Sequence, residues 1–346
     1  MNVLAQSADS AARKMLVDRF NRVHDYLRIS VTDRCNLRCV YCMPPEGMEF
    51  APAENILSDR EIVEVVRVVA GMGVTKLRIT GGEPLVRKGL PDLIAKLAAI
   101  PGIADISMTT NGIYLAKKAK ALKAAGLNRV NISLDSLKPE RFAKITRGGD
   151  LQKVLDGIEA CRKEGIAPIK LNVVLMKGEN DDEIVDFLRM TRERPVHVRF
   201  IEYMPIGHQN DHWRKAYLPL TAVLDACSRS GMHAERVEKG PIGNGPAEVY
   251  RIAGAAGTFG LIHPVSDHFC GSCTRLRLTA DGNVKPCLYW NDEFNVRKRI
   301  GDDEAVRNLF LQAIGAKPYN HEMAKALNNE KQSHTPTVRR MSQIGG

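Results

Sequence analysis

Cys35, Cys39 and Cys42 are spaced CxxxCxxC within Thr32-Asp33-Arg34-Cys35-Asn36-Leu37-Arg38-Cys39-Val40-Tyr41-Cys42, just after the apolar run Tyr26 to Val31, which reads as a strand. Three thiolates on one short loop can converge on a cubane iron-sulfur cluster, and a cubane offers four irons. One iron then stays open, able to chelate a small molecule and pass it an electron. A structural zinc or a disulfide is the plainer alternative for any close cysteine group. The usual zinc arrangement, however, favours two well-separated knuckles rather than this spacing.

Cys270-Gly271-Ser272-Cys273 and the more distant Cys287 form a second three-cysteine set. Zinc competes strongly here, because CxxC with a distant cysteine suits a zinc ribbon and His263 or His268 could supply the fourth ligand. No second CxxC follows, so the set again stops at three thiols. Arg275 and Arg277 come next, two apart in a strand pattern and hence on one face. Two guanidiniums beside three thiolates suit a phosphate-bearing ligand held against an open iron, with a solvated strand face as the alternative.

Positioning such groups requires elements that bring distant loops to one rim. From Tyr26 onward, short β-branched runs alternate with amphipathic helical patterns: strands are predicted at Lys76 to Thr80, Asp105 to Thr109, Arg129 to Ser133, Lys170 to Leu175 and Val196 to Ile201. Helix signals lie between them: the capping box Ser58-Asp59-Arg60-Glu61, Pro91 near a first turn, the stop Pro101-Gly102, and Asn180 as the N-cap of a helix from Asp181 to Thr191. Six successive βα units predict an α/β fold, an incomplete (β/α)6 parallel barrel with a lateral opening. Past Met204 the chain turns Pro- and Gly-rich, at Gly240-Pro241 and Gly243-Asn244-Gly245-Pro246, then alternates short strands with turns. Asp281-Gly282 signals a hairpin, and a helix near Asp303 to Ile314 precedes a polar tail. The organisation read from this is a flexible leader (1–20), the partial barrel (21–235), a smaller C-terminal α+β domain carrying the second cysteine set (236–338) and a tail (339–346).

In parallel α/β folds the working residues lie at the carboxyl ends of strands. Thr80-Gly81-Gly82-Glu83-Pro84, Thr109-Thr110-Asn111-Gly112, Ser133-Leu134-Asp135 and Glu202-Tyr203-Met204 all fall there. The glycine pair would let backbone groups approach a ligand closely, whereas glycine pairs elsewhere are usually turns. Ser133 could equally be a local cap.

At 346 residues with a formal charge of +10, the chain can bury a sizeable core, and its basic balance points to an anionic partner or simply to a basic surface. Lys and Arg are spread along the chain without a nucleic-acid-binding motif, so an anionic small molecule is expected instead of nucleic acid. No stretch approaches a membrane span, and the N-terminus lacks the order of a signal peptide. Six of eight cysteines in two tight groups suit a metal protein of the reducing cytoplasm, with Cys161 and Cys227 as inert core residues.

The cysteine loop, with the aromatic Tyr41 before its third thiol, together with Thr80-Gly81-Gly82-Glu83-Pro84, resembles the radical S-adenosylmethionine superfamily. The further segments Arg28-Ile29-Ser30, Thr109 to Gly112, Ser133 to Ser136, Arg199 to Pro205, Cys270 to Arg277 and the terminal Gly345-Gly346 resemble the branch that cyclises GTP at the start of molybdenum cofactor biosynthesis. The resemblance implies two [4Fe-4S] clusters, at Cys35, Cys39 and Cys42 and at Cys270, Cys273 and Cys287. S-adenosylmethionine would be chelated at the first, among Tyr41, Gly82, Ser133 and Met204. GTP would meet the open iron of the second through its purine and contact Arg28, Arg78, Thr109, Lys170, Arg275 and Arg277, with Lys76 and Arg199 as further phosphate partners. Cyclisation itself would depend on Arg28 and on Gly345 and Gly346, whose side-chain-free tail can thread into the barrel, oriented by Arg339-Arg340 on acidic rim groups. The same resemblance implies an external electron donor and leaves a homodimer open. Two other readings compete: a radical enzyme acting on a peptide, and a zinc-ribbon nucleic-acid-binding protein.

Overall fold

Strands buried on both faces are expected to be apolar throughout, yet the parallel strands of this chain alternate: YLRIS, KLRIT and RVNIS place a polar residue at every second position, and HVRFIE does so over His197 to Arg199. Nearly all these residues are buried all the same. One face of the sheet therefore makes an apolar core with helices, and the other encloses something polar.

The computed structural model describes residues 15–207, 211–238 and 245–345. The strands are β1 (Tyr26–Ser30), β2 (Lys76–Thr80), β3 (Asp105–Thr110), β4 (Arg129–Ser133), β5 (Ile169–Leu175), β6 (His197–Glu202), β7 (Ala234–Arg236), β8 (Glu248–Ile252), β9 (Thr258–Ile262), β10 (Arg275–Leu278), β11 (Asn283–Lys285) and β12 (Phe294–Asn295). They form one sheet in the order β12-β11-β10-β1-β2-β3-β4-β5-β6-β9-β8-β7. The six expected βα strands are present and parallel, and the C-terminal part adds a parallel strand at each side, β10 beside β1 and β9 beside β6. The barrel thus has eight consecutive parallel strands but stays open, because antiparallel strands occupy its two edges. The sheet runs on across residue 235, where the sequence pattern places a division.

The helices are α1 (Asp59–Ala70), α2 (Leu90–Ala98), α3 (Leu115–Ala124), α4 (Pro139–Thr146), α5 (Leu151–Lys163), α6 (Ile184–Glu193), α7 (Asp211–Ala216), α8 (Thr221–Arg229), α9 (Asp303–Gly315), α10 (Met323–Leu327) and α11 (Met341–Ile344); the longer ones cover the outer face, while α10 and α11 reach the inner cavity through Met323 and Met341. The capping box forms at Ser58 and Glu61 as predicted. Leu27, Ile79, Met108, Ile132, Val173 and Phe200 pack beneath these helices in the main core.

Three expectations are corrected. Asn180 does not cap the helix after it with its side chain; Nδ2 donates to Asp135 O and Val174 O while Oδ1 accepts from Met176 N, so the chain enters α6 through a 3-10 turn. Residues 15–20, read as part of a flexible leader, are packed: Leu16 is fully buried, Val17 bridges to Val23 and Asp18 pairs with Arg22. The segment after α9, read as a polar tail, is folded around a second core of Tyr203, Trp213, Tyr289, Trp290, Met323 and Ile344. The leader residues 1–14 and the turns at Gly240-Pro241 and Gly243-Asn244 lie outside the described residues.

Candidate active site

The interior rows follow from strand register. Arg277, Arg28, Arg78, Ser107 and Arg129 sit side by side on β10, β1, β2, β3 and β4, and Thr109, Asn131, Lys170 and His197 form a second row across β3 to β6. Arg78 Nε donates to Ser107 Oγ at 3.2 Å within the first row, and Arg199 donates to Asn172 Oδ1, its register partner on β5. One cavity is lined by Arg28, Arg78, Arg199, Arg275 and Arg277, with Tyr26 and Thr109 among them. Glu83 and Asp135 are its lining carboxylates among the described residues.

Burial costs these cations dearly. It pushes Arg199 down to about 9 and Arg277 down to about 10, and in each case the neighbouring arginines push further. Arg28 is also driven down, first by burial and then by Arg277. Lys170 is pushed down to about 7 by burial and then by Arg199 and Arg129. Such a chamber suits a polyanion, which would offset the cost of burying these charges.

At the carboxyl ends of the strands the cysteine loop closes the cavity, and Cys35, Cys39 and Cys42 all line it. The Gly81-Gly82 pair lies against this loop: an added Cβ at Gly82 would sit 2.5 Å from Asp33 O, and one at Gly81 2.6 Å from Thr32 O. Gly82 N donates to Thr32 O at 2.7 Å and Glu83 N to Arg34 O at 2.8 Å. The close approach expected toward a ligand is thus made first toward the cysteine loop, which the glycines let β2 clasp. Glu83, unassigned by sequence reasoning, accepts from Thr110 Oγ1 and Asn111 N, each at 2.7 Å, and burial raises it to about 7. Tyr41 donates to Asp135 Oδ2 at 2.7 Å, and Asp135, raised to about 6 by burial, also accepts from Val174 N. That bond fixes the aromatic ring beside Cys39 and Cys42. Ser133 and Met204 line the same space.

The opposite side carries Cys270, Cys273 and Cys287. Burial pushes Cys270 up to about 11; at Cys273 burial also pushes up, but Arg275 and Lys317 overcome it and bring the thiol down to about 6. Lys317 is a residue the sequence did not single out: its buried Nζ donates to Arg275 O at 2.9 Å and to Pro286 O, tying β10 to the Cys287 loop. Arg22 likewise holds Cys270 O at 2.6 Å and Pro318 O at 2.8 Å. Arg275 lies over the Phe269 ring, 4.7 Å from its centroid.

Three thiols on each side of the cavity are a donor set of the kind an iron-sulfur cluster takes. All eight cysteines are free, and among the described residues no three His, Cys, Asp or Glu side chains close on one ion position. A mononuclear tetrahedral zinc needs such convergence; a cubane needs thiolates placed around a larger body. His263, one candidate zinc ligand, faces Glu202 at 3.8 Å, and His268 meets Asn320 and His321. Burial pushes Cys39 far up and Cys42 up to about 12, a cost that binding to metal removes because the metal takes the thiolate form.

Two expected phosphate partners stand outside the cavity lining. Lys76 pairs with Asp25 Oδ2 at 2.7 Å, at the amino end of β2, and Lys170 lies in the interior row behind Arg199. The tail, by contrast, enters. Arg339 is held by Asp281 at 2.8 Å and Glu293 at 2.6 Å, Met341 and Ser342 line the cavity, and Arg277 Nη1 donates to Gly345 O at 2.6 Å. Gly345 has φ +70° and rests against Thr80 and Ser30. Gly346 lies outside the described residues.

The radical SAM superfamily model matches residues 29–191, and the Molybdenum Cofactor Synthesis C model matches residues 196–323. A GTP 3′,8-cyclase of Listeria monocytogenes is 60% identical over 333 residues, covering 96% of this chain and 100% of the relative. Enzymes with the same name from Lactiplantibacillus plantarum and Moorella thermoacetica are 53% and 48% identical, covering 96% and 95% of this chain and 99% of each relative. Among solved structures, Streptococcus suis SuiB bound to S-adenosylmethionine shares the fold, with a TM-score of 0.59 and 14% identity over 89% of this chain and 69% of SuiB.

Proposed function

The chain belongs to the GTP 3′,8-cyclase family of the radical S-adenosylmethionine superfamily, and from that membership we propose how its residues divide the work of converting GTP to (8S)-3′,8-cyclo-7,8-dihydroguanosine 5′-triphosphate, the first step of molybdenum cofactor biosynthesis. The observation that carries the reading is the buried arginine chamber lying between two three-thiol sets. Cys35, Cys39 and Cys42 would hold a [4Fe-4S] cluster which, with S-adenosylmethionine bound, would supply an adenosyl radical to take the ribose 3′ hydrogen. Tyr41, Gly82, Ser133 and Met204 orient that cofactor toward the chamber. Cys270, Cys273 and Cys287 would hold a second cluster, at whose open iron the guanine would bind. Arg28, Arg78, Arg199, Arg275 and Arg277, with Thr109, bind the triphosphate and ribose and exclude water from the reacting carbon. Lys170 adds its charge from the row behind, and Lys76 closes the amino end of the barrel through Asp25. An external donor supplies the electrons.

A peptide substrate is disfavoured by the same chamber, because five inward guanidiniums would remain uncompensated around a neutral backbone. No helix of the described residues is long and apolar enough to cross a membrane.

The test is Arg275→Ala and Arg277→Ala, each assayed for GTP affinity and for S-adenosylmethionine cleavage without GTP. A charge-assisted phosphate contact contributes roughly 1.5–3 kcal/mol, so GTP binding should weaken by about tenfold or more while cleavage continues. Unaltered GTP affinity in both variants would refute the assignment.

A further inference from the structure

Tyr26 opens β1, in register with Lys76 of β2 and Arg275 of β10, and on the same face as Arg28. It lines the arginine chamber, is only 3% exposed, and its hydroxyl is buried without a hydrogen-bond partner among the described residues. The Arg78 guanidinium lies 5.5 Å from its ring centroid. The groups beside Tyr26 in register and over its ring, Arg275, Lys76 and Arg78, are donors only. The phenol accepts from none of them, and its own proton has nowhere to go. Native proteins leave few such groups, and each one calls for a physical reason. Phenylalanine would fill the same volume and keep the contact with Arg78, so packing does not explain the hydroxyl. What the site lacks is an acceptor that sits among guanidiniums, which is an anionic oxygen.

Building on the reading of GTP as substrate, we infer that the Tyr26 hydroxyl is a substrate-binding group that donates its hydrogen bond to a phosphate oxygen of the bound nucleotide. It complements the arginines in kind. Guanidiniums compensate charge from many directions, whereas a phenol on a rigid strand offers one donor in one place and so selects the depth at which the phosphate chain settles. The ring stays fixed beneath Arg78, so little side-chain freedom is lost on binding.

The experiment compares wild-type protein with Tyr26→Phe, both as the full chain with both clusters assembled, in binding titrations against GTP, inorganic triphosphate and guanosine. The variant should bind GTP and triphosphate about tenfold more weakly, in the range of a hydrogen bond to a charged group, while guanosine affinity stays unchanged. Its melting temperature without ligand should be equal or higher, since the truncation removes a buried donor that has no partner. Unchanged triphosphate affinity, or a loss as large for guanosine as for GTP, would overturn the assignment. Wild-type protein that binds triphosphate but not GTP would refute GTP as substrate, and the triphosphate titration would then decide the role of the phenol.

Discussion

Alanine at Cys35, Cys39 and Cys42 together should reduce S-adenosylmethionine cleavage to background while iron remains at Cys270, Cys273 and Cys287. The two sets are carried by different parts of the chain, one on the loop after β1 and the other around β10 and β11. Loss of the first set should not unfold its loop, because backbone bonds pin it independently of the thiols. Arg38 N and Val40 N donate to Thr146 O and Ile145 O at 3.1 and 3.0 Å. Arg147 Nη1 reaches Arg38 O at 2.9 Å and Met43 O at 2.7 Å, and Gly82 and Glu83 clasp the loop from the other side. Burial pushes these thiols up, so without metal the triple change removes neutral groups and breaks no ion pair of the loop. Iron per chain, the cluster absorption band and 5′-deoxyadenosine release measure the outcome. Cleavage that survives the triple change would mean the first loop is not the radical source, and loss of all iron would mean the second set does not hold a cluster alone.

Much of this site was legible because parallel strands with a period of two cannot have two apolar faces. Lys170 and Arg199 are read from the strands they occupy, and Arg28 and Arg78 come with the resemblance; all four lie at polar positions of alternating strands, and strand register gathers them on the interior face. The two extra parallel strands were not legible. β10 joins β1 in register Tyr26↔Arg275, and no local signal encodes a pairing across so long a separation in sequence. Lys317 and Arg22 escaped for the same reason: their partners are backbone carbonyls of remote loops, which leave no mark on residue type. Glu83 and Asp135 were within the quoted motifs, but their work is to hold Asn111 and Tyr41, and only geometry reveals a carboxylate that serves its neighbours. Asn180 misled because asparagine can satisfy backbone on either side of itself, and here it serves β5 and Asp135.

The tail provides the sharper test of the cyclisation step. Gly345→Ala should cut cyclised product by about a hundredfold or more and leave both clusters, GTP binding and uncoupled S-adenosylmethionine cleavage in place. Two separate effects combine. At φ +70° an L-residue costs roughly 1–2 kcal/mol, a factor of about 5–30 in the docked population. The added methyl would also overlap Thr80 Oγ1 and meet Ser30 Cβ at 3.6 Å, so the tail must withdraw even where the backbone strain is borne. Withdrawal breaks the Arg277 contacts to Ile344 O and Gly345 O, at 3.3 and 2.6 Å, and leaves a guanidinium without the partners that now hold it. Arg339 stays clamped by Asp281 and Glu293, so the segment before α11 remains in place and the loss is local. Deleting Gly345 and Gly346 should have the same result, and a peptide matching residues 341–346 should restore part of the activity of the truncated chain. The same peptide carrying alanine at the position of Gly345 should not. Thr80→Ala, which removes the obstructing hydroxyl, should recover part of the loss in Gly345→Ala but none in the deletion, separating steric exclusion from loss of the terminus itself. Full cyclisation by Gly345→Ala would show that the docked tail is not required for the reaction.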